Sequence, residues 1–321
     1  MGKTHTMLHL QYVINNGPDF PAEVVFIELP DIGTRSTFQV AHGALLDALG
    51  LDRVRQWFTI FQTKHGADAR DLVQEATQSG DIATAFQNIL GMGDAGRIAW
   101  DWLRGEQLTS GEGRMAGLPP RLDQSNALVK VLEMLGKLCR EAEEKVLVLM
   151  VDEATKLSYV TNTDALNHWT NAFKLIANMQ VRDIGLIVSG SWAEVDDMAL
   201  PLMDEQVRTR FGDNNYIRLS NLDEEESVDF MNRLLEEWVD PVKRTALISA
   251  HTSQAGGETI GATTFPFTEP ALRTAAAYAC RHGGWATPRD IQQSIDDLLN
   301  RAIDDNVRIV NDVYLQSLVN A

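Results

Sequence analysis

Short segments with strand character alternate along this chain with long helical patterns. Three are mostly apolar runs, at 22–29, 146–151 and 184–188, and a fourth strand is predicted at 215–219. A continuous apolar run of this length is typical of a parallel strand that helices cover on both faces. The pattern therefore predicts an α/β fold with a parallel sheet.

Helical patterns fill most of the remaining chain. The stretch 38–102 is predicted to be helical, 104–120 to be a Gly-rich surface loop, and 123–144 to be a helix that leads directly into the second apolar run. Four aromatic residues of the first stretch are predicted to lie in the core: Trp57, Phe58, Phe61 and Phe86. Beyond residue 220 the pattern is helical throughout, so the predicted domains are 1–220 and 221–321.

Composition and charge narrow the functional classes. The formal net charge of −17 argues against a surface coated by nucleic acid, although it leaves room for a local basic patch. Cys139 and Cys280 lie far apart and form no C-x-x-C pair, which indicates a reducing, cytoplasmic setting without structural zinc. No apolar run approaches 18 residues, so no membrane span is expected.

The N-terminal residues resemble the second half of a phosphate-binding loop. Gly2, Lys3, Thr4 and His5 open directly into a predicted helix at 4–16. In the full motif G-x-x-x-x-G-K-[ST], backbone N–H groups and the helix N-terminus hold phosphates, the lysine reaches the β- and γ-phosphates, and the hydroxyl binds Mg²⁺. A helical metal motif is not predicted for His5 and His9, because its glutamate and third ligand are missing.

Two carboxylates follow the second apolar run. Asp152 and Glu153 come at its C-terminal end, which is where open α/β sheets bind their ligands. There the first carboxylate would hold Mg²⁺, usually through water, and the second would polarise an attacking water. The structural alternative is an ordinary strand that ends in a helix N-cap, a position that acids favour.

Further polar residues occur where a nucleotide site would need them. Ser189 and Ser191 follow the third apolar run, and a hydroxyl there could bond the γ-phosphate or the attacking water; an ordinary turn is the alternative. Arg208 and Arg210 end a helical segment, where they could interact favourably with the negative end of the helix dipole or reach a neighbouring subunit's γ-phosphate. Arg289 lies in the first turn of a predicted helix, against the dipole preference, so a phosphate partner is a candidate.

Taken in order, these motifs resemble those of the AAA+ ATPases, chiefly the clade of replication initiators and helicase loaders and related ATPases of mobile elements and phage defence. The resemblance implies a five-stranded parallel sheet in order 5-1-4-3-2, followed by an all-helical lid. It also implies ATP and Mg²⁺ as cofactors and a site that a neighbouring AAA+ subunit completes. By position, Lys3 and Thr4 look like Walker A, and Asp152 and Glu153 like Walker B.

The resemblance assigns the remaining roles as well. Ser191, or less favourably Ser189, is similar to sensor 1, Arg210, with Arg208 second, to the arginine finger, and Arg289 to sensor 2. Thr4 and Asp152 would be the metal ligands. The implied activity is hydrolysis of ATP to ADP and phosphate, coupled to conformational switching in processes associated with DNA or a DNA-bound protein.

Three departures from the family pattern carry expectations. The first strand and the leading half of the phosphate-binding loop are missing. Without that strand, the neighbouring strands would have unpaired backbone groups in a buried position, each of which costs about 1–3 kcal/mol of stability. We therefore expect Met1 not to be the natural start of the protein. A helical insertion is expected at roughly 50–120 as the place for partner specificity, and little room remains for a winged-helix domain after the lid.

Two other functions remain open at this stage. The chain could be a signalling or phage-defence NTPase that does not handle DNA, in which case DNA would not change its ATPase rate. It could also be a non-catalytic scaffold with a degenerate phosphate-binding loop. The combination of Asp152, Glu153 and Arg210 argues against the scaffold, since no structural need calls for all three together.

Overall fold

The computed structural model describes residues 3–17, 21–91, 93–179, 183–192, 198–212, 215–261, 263–281 and 283–319. Tertiary contacts divide the chain into two units with a boundary between Ile217 and Arg218. Among the described residues, no helix is both long and apolar enough to cross a membrane.

The first unit is an α/β unit with a parallel sheet. Its strands are β1 (Ala22–Glu28), β2 (Val146–Asp152) and β3 (Ile184–Val188). Its helices, in chain order, are α1 (Lys3–Asn16), α2 (Gln39–Leu49), α3 (Leu51–His65), α4 (Ala69–Thr77), α5 (Gly80–Ile89), α6 (Asp94–Leu103), α7 (Ser110–Ala116), α8 (Ser125–Glu143), α9 (Thr163–Ala177), α10 (Leu200–Met203) and α11 (Glu205–Phe211).

The second unit is helical. Its helices are α12 (Glu224–Trp238), α13 (Pro241–His251), α14 (Glu269–Ala279), α15 (Pro288–Asp304) and α16 (Asp312–Val319). Two isolated bridges, Leu222 with Ala286 and Phe267 with Val310, supply the extended pairing seen among its described residues. Capping boxes begin α12 and α15: the N-cap side chain accepts a hydrogen bond from the N–H of the third helical residue, and the side chain of that residue accepts one from the N-cap N–H.

The three strands lie in the order β1-β2-β3 and all run parallel. Their apolar residues alternate between two covered faces, as the continuous apolar runs predict. On one face Met7 of α1 packs with Val24 and Met150, and on the other Val25 and Leu149 join the large core against which α2 and α8 pack. The predicted parallel α/β arrangement is confirmed at this level.

The predicted fourth strand is wrong. Residues 215–219 form no strand, and the side chains of Ile217 and Leu219 are 86% and 48% exposed. In the order 5-1-4-3-2 this segment would pair with the first strand of the family sheet and not with β3. No such strand is found among the described residues, and the segment does not join the sheet.

The outer edge of β3 has no strand beside it in the described part of the chain. The carbonyl of Asp183 accepts from Leu147, and the N–H of Ser189 donates to Val151, so odd-numbered residues face β2. In a parallel pair the backbone groups alternate in direction. The N–H and C=O groups of the even-numbered residues 184–188 therefore point away from β2.

The segment between β1 and β2 contains the packed helices α2 to α8. The four aromatic residues predicted for the core are fully buried. The surface loop predicted at 104–120 is wrong in part, because α7 lies within it. Thr109 forms a capping box with Glu112 at its start, and Gly117 adopts a left-handed conformation at its end, so local capping outweighs the high glycine content.

Candidate nucleotide site

The site lies where β2 and β3 end on the same edge of the sheet. Asp152 is the last residue of β2, Glu153 follows it, and Ser189 follows β3 directly. The N-terminal turn of α1 reaches the same place, since Thr4 contacts Asp152. Parallel strands and a helix N-terminus thus bring together residues that are far apart in the sequence.

Asp152 is the centre of the site. The residue is buried, with only 1% of its surface exposed, and its carboxylate accepts three hydrogen bonds. Thr4 Oγ1 donates to Oδ2 at 2.5 Å, Ser189 Oγ donates to Oδ1 at 2.7 Å, and the Glu153 N–H donates to Oδ1 at 2.9 Å. All three donors are neutral, so the carboxylate is held by hydrogen bonds and by the positive end of the α1 dipole.

Glu153 lies in a left-handed backbone conformation, with φ 58° and ψ 31°. A non-glycine residue adopts this conformation at a conformational cost, which the surroundings must offset. Here the residues on both sides are fixed: Asp152 is buried in the site, and the buried Ala154 donates its N–H to the Ser189 carbonyl at 2.8 Å. Glu153 itself is half-exposed, so its carboxyl group is open to solvent.

The N-terminal candidates lie at the start of α1. Lys3 is half-buried and forms no ion pair with another described residue, while Thr4 and His5 are exposed. Gly2 lies outside the described residues. The buried helical residue of this segment is Met7, whereas Leu10 and Val13, which follow it at helical spacing, are each 37% exposed.

The two serines have different partners. The hydroxyl that contacts Asp152 is that of Ser189, the residue ranked second by the sequence. Ser191 is exposed, and its N–H donates to Thr155 Oγ1 at 2.6 Å. Sequence reasoning overlooked Thr155, because a hydroxyl two residues after a strand-end glutamate carries no signal until its partner on the other loop is known.

Sequence reasoning also overlooked Lys156, because its partners lie on a distant segment of the chain, at the end of β1. Its Nζ donates to the Leu29 carbonyl at 2.7 Å and forms ion pairs with Glu28 at 3.1 Å and Asp31 at 3.4 Å. These contacts fasten the 3₁₀ turn after Glu153, residues Ala154–Tyr159, to the end of β1. The turn that follows the two carboxylates is therefore held by both neighbouring strands.

The three hydrogen bonds of Asp152 involve none of the candidate arginines. Arg210 is exposed, and its guanidinium donates to the Gln206 carbonyl of its own helix at 3.1 Å. Arg208 is half-buried in the same helix, α11. Arg289 is an exposed residue in the first turn of α15, within the second unit.

The donor set fits a hard divalent cation bound together with phosphates. Thr4 gives its single O–H to Asp152, so both lone pairs of its hydroxyl stay available, and Asp152 contributes carboxylate oxygens. Mg²⁺ prefers oxygen ligands and usually takes one or two from protein and others from water and phosphate. Within the described ranges no group of three or more His, Cys, Asp or Glu residues is placed to hold a metal alone.

Comparisons with protein-family models, with curated proteins and with solved structures found no match. The functional argument therefore depends on the geometry of the site.

Proposed function

We propose that this chain is an ATPase of AAA+ type, which binds Mg²⁺-ATP at the C-terminal edge of its sheet and hydrolyses it to ADP and phosphate. The observation that carries the proposal is the contact between Thr4, at the N-terminus of α1, and Asp152, at the end of β2. A hydroxyl on a helix N-terminus beside a buried carboxylate is the pair of groups that a magnesium-bound phosphate needs.

Each residue of the site has a role in this proposal. Lys3 and the α1 N-terminus neutralise phosphate charge, and Thr4 and Asp152 hold the metal. Mg²⁺, when bound, supplies Lewis-acid stabilisation of the phosphate oxygens. Glu153 accepts a hydrogen bond from the attacking water and orients it, and Ser189 takes the sensor role because its hydroxyl already contacts Asp152.

The arginines belong to a second step of the proposal, in which another copy completes the site. Arg210 is exposed, and the one hydrogen bond it makes within the described part of the chain is to a carbonyl of its own helix, which leaves guanidinium donors for a phosphate on a neighbouring chain. Arg289 is exposed as well and would serve from the helical lid. This step predicts that the ATPase rate per chain rises with protein concentration and that Arg210→Ala removes the rise.

The test of the proposal is Mg²⁺-ATP binding and hydrolysis by the full chain. Lys3→Ala should abolish binding, whereas Glu153→Gln should keep binding and abolish turnover. Glu75→Gln is a matched control, because Glu75 is an exposed residue of α4 and lies outside the proposed machinery. Full turnover in Glu153→Gln, or no binding by the wild-type chain, would refute the proposal.

A further inference from the structure

Thr155 joins the two loops that carry the site. It lies two residues after Glu153, in the 3₁₀ turn that follows β2, and it is half-buried. Its Oγ1 accepts the backbone N–H of Ser191, which belongs to the loop after β3, at 2.6 Å. This is a short bond for an N–H donor, whose usual distance to oxygen is about 2.9–3.0 Å.

The bond extends the pairing of the two strands beyond their ends. Ser189 donates its N–H to the Val151 carbonyl at 2.9 Å, and Ala154 donates to the Ser189 carbonyl at 2.8 Å. The threonine hydroxyl then takes the place of the next backbone acceptor and receives the N–H of Ser191. The loop 189–191 is thus bonded to the segment 151–155 at three successive points.

Two groups of the proposed reaction lie between these points. The hydroxyl of Ser189 contacts Asp152, and Glu153 holds its left-handed backbone between residues that the pairing fixes. If the bond to Thr155 is lost, the N–H of Ser191 forms its hydrogen bond with water instead, and this exposed end of the loop can move away from the turn after β2. The spacing between Ser189 and the turn of Glu153 would then no longer be set.

We propose that Thr155 is a positioning residue for hydrolysis: its hydroxyl holds the loop after β3 so that Ser189 stays on Asp152 and Glu153 keeps its orientation toward the water. The inference rests on the proposed ATPase function. Thr155 acts through Ser191, Ser189 and Glu153 and has no direct part in the reaction. Its removal therefore lowers turnover and leaves nucleotide affinity nearly unchanged.

The decisive comparison is between Thr155→Val and Thr155→Ser. Valine keeps the shape of threonine and removes the acceptor, whereas serine keeps the hydroxyl. We expect Thr155→Val to lower kcat by about tenfold or more, in the range that small misplacements of reacting groups produce, with little change in the Kd for Mg²⁺-ATP. Thr155→Ser should restore kcat, and Thr161→Val, at an exposed threonine nearby, is the control.

A second readout does not depend on turnover. Amide hydrogen exchange of Ser191 in the nucleotide-free chain should speed up in Thr155→Val and stay slow in Thr155→Ser and Thr161→Val. Unchanged exchange in Thr155→Val, an unchanged kcat, or equal impairment of the serine variant would each overturn the inference. A wild-type chain that shows slow Ser191 exchange but no ATP binding would instead overturn the proposed function, and with it the role of Thr155 in turnover.

Discussion

Thr4 and Asp152, 148 positions apart in the chain, are joined by a hydrogen bond of 2.5 Å between a hydroxyl and a buried carboxylate. This bond connects the first turn of a helix to the end of the central strand of the sheet. It gives Asp152 a partner outside its own strand pair, and it places the only two side chains proposed as metal ligands next to each other.

The three bonds to Asp152 should make it important for stability as well as for binding. Asp152→Ala leaves the Glu153 N–H and two hydroxyls without their acceptor, so we expect a loss of about 1–3 kcal/mol in the free energy of unfolding. Asp152→Asn should lose less, because an amide can accept from Ser189 and Glu153 and donate to Thr4. Urea denaturation followed by tryptophan fluorescence measures both.

Asp52→Ala is the control for that series. The Asp52 side chain is 98% exposed and forms an ion pair with Arg55 at 3.5 Å, so its loss should cost little. The prediction would fail if Asp152→Ala unfolded at the same urea concentration as this control.

The left-handed backbone of Glu153 predicts an unusual order of stability among its variants. For a residue with a Cβ this conformation costs about 1–2 kcal/mol of folding free energy, whereas glycine adopts it without that cost. Glu153→Gly should therefore be as stable as the wild-type chain or more stable, and Glu153→Val should be the least stable. Differential scanning calorimetry would rank them.

Glu144 offers a comparison away from the site. It ends α8 with φ 60°, so Glu144→Gly should raise the unfolding temperature in the same direction. If Glu153→Gly lowered the unfolding temperature while Glu144→Gly raised it, the backbone of Glu153 would not be strained as described.

His42 should make the first unit sensitive to mild acid. Burial lowers the pKa of His42 to about 4, while its Nε2 bonds the Leu103 carbonyl at 2.8 Å. Between pH 6.5 and 4 the unfolded chain binds a proton that the folded chain does not, so stability falls as the pH falls through this range. The full effect is about 3 kcal/mol for a shift of this size.

The measurement is the free energy of unfolding between pH 7 and 5, above the usual pKa range of carboxyl groups. His42→Leu removes the titrating ring and should flatten the pH dependence, even though the variant is less stable at pH 7. Parallel curves for the two proteins would contradict the assignment.

Glu143 should anchor α3 to the C-terminal end of α8. Its Oε1 accepts from the indole N–H of Trp57 at 2.6 Å and from Arg53 at 2.9 Å, and its Oε2 pairs with Lys145 at 3.2 Å. Glu143→Ala leaves the buried indole without an acceptor, so we expect a loss of about 1–3 kcal/mol and altered Trp57 fluorescence. Glu133→Ala, which breaks only the pair with Lys130 within one helix, is the control.

The sequence predicted the three paired strands and most helices because their signals are local. The apolar runs at 22–29, 146–151 and 184–188 pack on both faces, although the residues of 184–188 are only half-buried, and a pattern of that kind needs no knowledge of the partner strand. The strand prediction for 215–219 was wrong for the opposite reason, because a strand forms only if a neighbouring strand pairs with it. In 104–120 the glycine content concealed a capped helix.

The candidate site was predictable only in part. Asp152 and Thr4 are found together, as their positions at a strand end and a helix start suggested. The choice between Ser189 and Ser191 was not predictable, because it depends on which residue of the loop directs its hydroxyl back to the strand. Thr155 and Lys156 act through long-range partners and gave no pattern along the chain.

The outer edge of β3, beside which no strand lies in the described part of the chain, has a consequence for how the protein behaves in concentrated solution. The sequence Ile-Gly-Leu-Ile-Val along this edge contains no lysine or proline, the residues that commonly prevent two sheet edges from joining. Long-range repulsion from the net charge of −17 opposes such association. Because added salt shortens the range of that repulsion, from about 30 Å at 0.01 M to about 8 Å at 0.15 M, colloidal stability should be greatest in dilute buffer.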